Sequence, residues 1–282
     1  MKVVVTGAAG LFGKGLVHVL SEGCEVFPLT RKEADLTDNR QVRNVIRGIN
    51  PDLIIHSAGV ADIDVCETNP ALAHAVNVEG TRFVVDAARE VKAGVAYIST
   101  DAVFDGMKGN PYAEHEPTCP VSVYGRSKLG GERIVRNLPA YWIFRVSVLF
   151  GPGKTNFVEK VLQKAAAGEL AVVASDQVGS ATYTLDAART IMQVVKGGRS
   201  GTYHLANQGS CSRFELALAA GKLAGIDTSK ILGRPLAQID RPGPRLKYSV
   251  MHMMALEDAG IAKPRPWEEA LAEYISQLQR GS

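Results

Sequence analysis

Residues that commonly bind metal ions are scarce in this sequence. Its four cysteines include no C-x-x-C pair, and its six histidines form no H-E-x-x-H pattern. We therefore predict no metal site. We expect the cysteines to be reduced thiols of a cytoplasmic protein, because disulfides are rare in that compartment.

Long apolar runs and a strong charge of one sign are absent as well. No segment approaches the roughly 18 consecutive apolar residues of a membrane-spanning helix, and the start of the chain lacks a signal-peptide layout. The 32 basic and 29 acidic residues give a net charge of +3, which is too balanced to indicate a nucleic-acid-binding protein. We predict contact with neither membranes nor nucleic acid.

The sequence does contain enough apolar residues for a large core, and they alternate between strand and helix patterns. Of its 282 residues, 46% are hydrophobic, which suits one large or two modest domains. The predicted strands are 3–5, 25–29, 53–56, 96–99 and 142–146, and the predicted helices are 13–21, 39–49, 70–91 and 124–137. This order predicts an α/β fold with a doubly wound parallel Rossmann sheet, which binds ligands at the carboxyl ends of its strands.

The pattern changes after a Gly-Pro-Gly segment at 151–153. We assign residues 1–152 to the Rossmann domain and residues 153–282 mainly to a smaller, partly interleaved α/β domain. Within the second part we predict a helix over 156–167 and a strand over 171–174. We expect residues 183–197 to return to the first domain.

The turn between the first strand and the first helix carries three glycines. Gly7 permits a tight turn, Gly10 lets the backbone approach a pyrophosphate, and Gly13 lets the helix pack closely on the strand. The helix start, which includes Leu11 and Phe12, presents free amides to the phosphates. This arrangement predicts a dinucleotide-binding site.

The preferred cofactor depends on the end of the second strand. NAD-preferring sites usually have an acidic residue there, and this sequence has none at that point. Arg31 could pair with a 2′-phosphate, so we predict NADPH, with NADH as the alternative if Arg31 is only solvated. We also assign Asp35 and Leu36, near the adenine, and Ala58 and Gly59 to the cofactor site.

Tyr124 and Lys128 are spaced to meet on one face of a helix, because residues four apart are neighbours there. A phenol has an unperturbed pKa of about 10, and a nearby ammonium group lowers that pKa by favouring the phenolate. The pair is therefore a candidate for acid–base catalysis and for contact with the cofactor.

Four patterns together resemble the extended short-chain dehydrogenases/reductases, and within that superfamily the dTDP-4-dehydrorhamnose reductase family. The resemblance covers nearly the whole chain. The patterns are Thr6-Gly7-x-x-Gly10-x-x-Gly13, Asn77-x-x-Gly80, Ser99-Thr100-Asp101 and Tyr124-x-x-x-Lys128.

The resemblance implies a reaction and a role for each catalytic residue. The reaction is NADPH-dependent reduction of the 4-keto group of a nucleotide-linked deoxy sugar, with the second domain binding the sugar nucleotide. Tyr124 is implied to protonate the alkoxide as it forms, and Lys128 to bind the nicotinamide ribose and lower the Tyr124 pKa. Thr100 is implied to donate a hydrogen bond to the carbonyl oxygen.

The substrate residues are where the sequence departs from the family. Sugar-nucleotide 4,6-dehydratases carry an acidic residue at the position of Ala102, so alanine argues against dehydration. The rhamnose-pathway reductases usually have a tyrosine there and often a tryptophan at the position of Val148. Because this sequence lacks both aromatic residues, the identity of the sugar stays open. Asp101 could either orient a sugar hydroxyl or cap a turn. Arg241 could either bind the nucleotide diphosphate or be a solvated loop arginine.

Other functions share this framework. The regulatory subunit of methionine adenosyltransferase resembles the chain and would bind NADP without catalysis. An epimerase or an oxidising dehydrogenase is a third option. A homodimer is also left open.

Overall fold

The structure, a computed structural model, describes residues 1–280. Its strands are β1 (Lys2–Thr6), β2 (Glu25–Leu29), β3 (Leu53–His56), β4 (Gly94–Thr100), β5 (Tyr141–Val146), β6 (Val148–Phe150), β7 (Ala171–Ala174), β8 (Val178–Gly179), β9 (Ala181–Tyr183), β10 (Gly201–His204), β11 (Cys211–Ser212), β12 (Ile231–Arg234) and β13 (Tyr248–Ser249). Its α-helices are α1 (Leu11–Leu20), α2 (Asn39–Ile49), α3 (Ile63–Thr68), α4 (Pro70–His74), α5 (Gly80–Val91), α6 (Val123–Val135), α7 (Phe157–Ala166), α8 (Thr184–Lys196), α9 (Arg213–Leu223), α10 (Met254–Asp258) and α11 (Trp267–Arg280).

The main sheet has six parallel strands in the order β10-β5-β4-β3-β1-β2. Successive side chains of a strand point to opposite faces, so Val3 and Val5 pack into one apolar cluster and Val4 into the other. Helices cover both faces, with α1, α8 and α11 on one and α2 and α5 on the other. The predicted doubly wound parallel sheet is confirmed.

One predicted helix is interrupted. The predicted helical stretch over 70–91 is confirmed in its bounds, but α4 passes into a π-helical turn at Ala75–Glu79 before α5 begins. Such a turn holds one residue more than an α-helical turn, and it is often found at functional sites. Here it contains Asn77, whose buried side chain bonds to two neighbouring segments.

The second half of the chain forms small sheets and also returns to the main one. The small sheets pair β12 with β7, β6 with β9, and β8 with both β11 and β13. Helix α8 falls within the predicted return at 183–197, and β10 then extends the main sheet beside β5. The return is therefore longer than predicted, and the division into two domains stays a prediction.

Residues 1–280 lack both a membrane-spanning helix and a cluster of metal-binding side chains. No helix in that range is long and apolar enough to cross a bilayer. The same residues contain no group of three or more His, Cys, Asp or Glu side chains that could hold a metal ion.

Candidate active site

The glycine turn after β1 leaves no room for side chains. Gly7 has φ +68°, and a Cβ there would lie 2.7 Å from Ala58 Cα. A Cβ on Gly13 would lie 2.1 Å from the Gly7 carbonyl oxygen, so α1 packs directly on the turn. The first amides of α1, from Leu11 onward, therefore stand beside an open backbone cradle of the kind that binds phosphate.

A cavity of about 350 Å³, which we call the glycine-loop cavity, opens at the carboxyl ends of β1, β2 and β3. Five predicted cofactor residues do not line it, namely Leu11, Phe12, Gly13, Tyr124 and Lys128, and Phe12 packs in the core beneath the turn. Seven predicted cofactor residues do line it: Gly7, Gly10, Arg31, Asp35, Leu36, Ala58 and Gly59.

Arg31 lies at the outer edge of the glycine-loop cavity. Its side chain is 86% exposed and forms an ion pair with Asp35 at 3.0 Å. Hydrogen bonds from Thr37, and then the one from Arg31, lower the pKa of the Asp35 carboxyl. An exposed ion pair of this kind is weak, so the guanidinium is free to turn to another anion.

Thr100 and Tyr124 meet at the carboxyl end of β4. Thr100 is the last residue of the strand, and Tyr124 lies in the first turn of α6, which Ser122 caps. A Cβ on Gly125 would lie 2.1 Å from the Ala102 carbonyl oxygen, so α6 touches the turn after β4. This contact places the Tyr124 phenol beside the Thr100 side chain.

The pKa of Tyr124 differs from the sequence expectation. Burial raises it well above the usual range, and the neighbouring Thr100 hydroxyl only partly opposes that effect. Asp101 and Cys66 raise it further. The predicted lowering by Lys128 is wrong for this structure because desolvation dominates, and the phenol holds its proton through neutral pH.

Lys128 is buried beneath the same site. Its ammonium nitrogen lies 4.1 Å from the ring centroid of Tyr97, in a cation–π contact, and 3.9 Å from where a Cβ on Gly59 would lie. Burial lowers the Lys128 pKa to about 7, against the opposing charge of Glu132. The Lys128 side chain therefore changes its charge near neutral pH. It lies next to Gly59, which lines the glycine-loop cavity.

Asn77 belongs to the Asn77-x-x-Gly80 pattern of the family, but its own role was not predicted from the sequence. The Asn77 amide accepts from the Val60 amide at 2.8 Å and donates to the Ser127 hydroxyl at 2.9 Å. It thereby ties the loop after β3 to the catalytic face of α6. The signal available in the sequence was a polar residue at the centre of an apolar helix pattern.

The predicted substrate residues Asp101, Ala102 and Val148 line one small cavity of about 60 Å³, which we call the inner cavity. Asp101 accepts hydrogen bonds from two hydroxyl groups, those of Thr100 and Ser147. The inner cavity is therefore next to the catalytic pair, and small side chains at 102 and 148 leave its wall open.

A third cavity, of about 280 Å³, contains the predicted Arg241 together with Arg213 and Arg245, and we call it the arginine cavity. The Arg213 guanidinium stacks 5.1 Å from the Phe157 ring and has no hydrogen-bond acceptor within residues 1–280. Arg245 instead forms two 2.8 Å hydrogen bonds with Asp64. Two of the three cations are thus available to an anionic ligand.

Arg213 and Arg245 were missed because they lie far along the chain from the catalytic residues. Arg213 begins α9, where Ser212 and Glu215 form a capping box. That capping box was the sequence signal that a helix, with an arginine at its first position, starts here. Taken together, the site joins a nucleotide-sized cavity, a protonated phenol and a cationic cavity.

The comparisons with known proteins agree with this geometry. The sequence profile of the family described as "RmlD substrate binding domain" matches residues 1–280. The chain belongs to this family. The resemblance to dTDP-4-dehydrorhamnose reductases that the motifs predicted is therefore confirmed.

Three relatives of this RmlD-family chain match almost its full length. It is 37% identical to the spore coat polysaccharide biosynthesis protein SpsK of Bacillus subtilis (strain 168), over 98% of this chain and 97% of that protein. It is 35% identical to a dTDP-4-dehydrorhamnose reductase of Mycolicibacterium smegmatis, over 98% of this chain and 86% of that protein. The chain also resembles a crystal structure of dTDP-4-dehydrorhamnose reductase from Bacillus anthracis in complex with NADP. The TM-score is 0.95 and the identity is 34%, over 98% of this chain and 99% of that one.

Proposed function

We propose that this chain uses NADPH to reduce the 4-keto group of a nucleotide-linked deoxy sugar. A related reductase is named for a dTDP-linked 4-dehydro sugar, and a related structure holds NADP. The observation that carries the proposal is the position of the Tyr124 phenol, which lies beside Thr100 at the carboxyl end of β4, where Asp101 and Ala102 line the inner cavity.

The cofactor half of the site has the features that NADPH requires. The backbone cradle at Gly7 and Gly13 fits a pyrophosphate, and Arg31 can reach a 2′-phosphate at the cavity edge. Lys128 would hold the nicotinamide ribose from below. When bound, NADPH supplies the hydride that reduces the carbonyl carbon.

The substrate half has the charges that a sugar nucleotide requires. Arg213 and Arg241 would bind the diphosphate, since guanidinium groups match phosphate oxygens. The sugar would then enter the inner cavity beside Ala102 and Val148. Because Ala102 can exchange no proton, the reaction would end with reduction.

Tyr124 would donate the proton that the new alkoxide needs. The raised pKa of Tyr124 keeps the phenol protonated at neutral pH, which is the form that a donor requires. The ketone oxygen would be the acceptor of that proton when substrate is bound. Lys128, in its ammonium form, would stabilise the phenolate that remains.

The function is tested by incubating the purified protein with NADPH and dTDP-4-keto-6-deoxy-mannose. We expect the absorbance of the reduced nicotinamide to fall. Related 4-keto-6-deoxy sugar nucleotides belong in the same test, because Ala102 and Val148 leave the sugar identity open. Tight NADPH binding without oxidation by any of these sugars would support the regulatory-subunit alternative. A homodimer and a cytoplasmic location stay predictions.

The catalytic role of Tyr124 is tested by Tyr124→Phe. We expect turnover to fall by ~10²–10⁴, because a placed proton donor is lost, while the Kd for NADPH is unchanged. Tyr203→Phe is a matched control, since the Tyr203 hydroxyl bonds only to the Arg199 carbonyl oxygen in the described residues, at 2.8 Å. Near-normal turnover in Tyr124→Phe would reject the assignment.

A further inference from the structure

The ring of Tyr97 lies directly beneath the Lys128 side chain. Tyr97 belongs to β4 and is fully buried. The Lys128 ammonium nitrogen stands over the ring, 4.1 Å from its centroid. On the other side, the nitrogen is 3.9 Å from where a Cβ on Gly59 would lie, and it donates no hydrogen bond within residues 1–280. The ammonium group therefore sits between an aromatic face and a residue that lines the glycine-loop cavity.

The carboxylate that could pair with Lys128 is already bound by other donors. Glu132 lies four residues further along α6, on the same face of the helix. It accepts a hydrogen bond from the Ser99 hydroxyl at 2.6 Å and two from the Arg145 guanidinium, at 3.0 and 2.9 Å. Because these donors occupy both of its oxygens, the Tyr97 ring is the group that stabilises the Lys128 charge by direct contact.

The Tyr97 ring is fixed in position under Lys128. Its hydroxyl donates to the Lys128 carbonyl oxygen at 3.4 Å. A Cβ on Gly131 would lie 2.2 Å from the same hydroxyl oxygen, so α6 rests on the phenol with no space between them. The His56 ring lies beside it, with the two ring centroids 5.5 Å apart. These contacts hold the aromatic face toward the ammonium group.

Several other titratable groups surround the ammonium group. Besides Tyr97 on β4, they are His56 on β3, Cys66 on α3, and Tyr124 and Glu132 on α6. Burial lowers the pKa of His56 to about 3 and raises that of Cys66 to about 11. Burial also raises the pKa of both tyrosines. The histidine, the thiol and the two phenols are therefore uncharged near neutral pH, where Lys128 itself titrates.

We propose that Tyr97 is a positioning residue whose ring face holds Lys128 as an ammonium group and leaves its N–H groups for the cofactor. A carboxylate in the same place would accept those N–H groups, whereas an aromatic face attracts the charge through its quadrupole and needs none of them. The proposal rests on the proposed function, because cofactor binding by Lys128 is part of it.

The first test measures the pKa of Lys128 in Tyr97→Leu and Tyr97→Phe, made in the full chain. The titration is followed by NMR of lysine labelled with carbon-13, with Lys128→Met to identify the signal. We expect Tyr97→Leu to lower the pKa from about 7 to about 6, because a buried cation–π contact is lost. Tyr97→Phe keeps the aromatic face and should stay close to wild type. Tyr203→Leu is the matched control, since it removes another buried ring of the main sheet.

The second test measures the Kd for NADPH against pH in the same proteins. With a pKa near 6, Tyr97→Leu would have fewer ammonium groups at neutral pH, so the Kd at about pH 7 should rise about fivefold. At about pH 5 both proteins are almost fully protonated, and the Kd should return to within about twofold of wild type. A general loss of packing would raise the Kd at every pH.

Three results would overturn the proposal. The Lys128 pKa could be unchanged or higher in Tyr97→Leu, which would show that the ring does not stabilise the charge. Tyr97→Phe could lower the pKa as much as Tyr97→Leu, which would assign the effect to the hydroxyl. The pKa could fall while the Kd for NADPH keeps the wild-type pH profile, which would show that the ammonium group does not act on the cofactor.

A ring of nearly the same size decides the matter if Tyr97→Leu does not fold. Trifluorophenylalanine at position 97 keeps the ring in place, but its fluorines withdraw electron density from the face. It should lower the Lys128 pKa relative to Tyr97→Phe, and an equal pKa in the two proteins would overturn the proposal. A wild-type protein that reduces no keto sugar would refute the proposed function. The NMR titration and the Kd need no sugar, so they test this proposal separately.

Discussion

The two halves of the cleft are built in different ways. The cofactor half is formed by consecutive βα units, and its floor is backbone, because Gly7 and Gly13 leave no room for side chains. The substrate half is formed by side chains from distant segments, with Arg213 and Arg241 facing Ile63. A backbone cradle can bind the pyrophosphate of any dinucleotide, whereas charged side chains select one particular ligand. Side-chain substitutions should therefore have larger effects in the substrate half.

Among the side chains that bind ligands in the two halves, the largest effect is expected at Arg213. We predict that Arg213→Ala raises the KM for the sugar nucleotide about 10–100-fold, because charge-assisted hydrogen bonds to the diphosphate are lost. The kcat and the Kd for NADPH should change little. Lys222→Ala is the matched control, since it removes a positive charge from the far end of the same helix. An unchanged KM would remove Arg213 from the substrate half.

A smaller effect is expected from pH, through Lys128 at the boundary between the halves. Below its pKa of about 7 the side chain is an ammonium group, and above that value it loses its charge. If the ammonium group binds the cofactor, the Kd for NADPH should rise with pH above neutrality, by at most about tenfold per pH unit.

Lys128→Met supplies the control for this pH dependence. The variant should bind NADPH more weakly at about pH 6 and show a nearly flat profile up to about pH 9. A flat profile in the wild-type protein would show that the charge of Lys128 does not contribute to cofactor binding.

The smallest effect is expected at Arg31. Because this side chain is 86% exposed, its contact with a 2′-phosphate is screened by water. We predict that Arg31→Ala raises the KM for NADPH roughly three- to tenfold and leaves the KM for NADH unchanged. Lys32→Ala should leave both values near wild type. Equal use of NADH and NADPH by the wild-type protein would contradict the preference.

The sequence predicted the features that depend on local pattern. The strands β1 to β5 and the glycine turn follow from short apolar runs and glycines, whereas the position of Thr100 beside Tyr124 was implied by the family resemblance. These features were predictable because the carboxyl ends of parallel strands meet at one edge. The family motifs then linked them to a reductase.

The features that the sequence did not predict depend on long-range packing. The π-helical turn around Asn77 follows from contacts with Val60 and Ser127, which no helical periodicity reveals. The raised pKa of Tyr124 is due to burial, and burial depends on the complete fold. Arg213 meets Asp101 only because α9 packs across the cleft, more than 100 residues along the chain (213 − 101 = 112).

The edge strand β10 has a consequence for how the protein is synthesised. It pairs with β5, and its Tyr203 stacks on Phe144 with ring centroids 5.7 Å apart, yet Gly201 lies 55 residues after Val146 (201 − 146). On the ribosome, the sheet therefore has an open edge at β5 until most of the chain has emerged. A fragment ending at residue 152 would keep that edge permanently, and open strand edges promote aggregation. The nucleotide-binding half therefore depends on the later half of the chain to close its sheet.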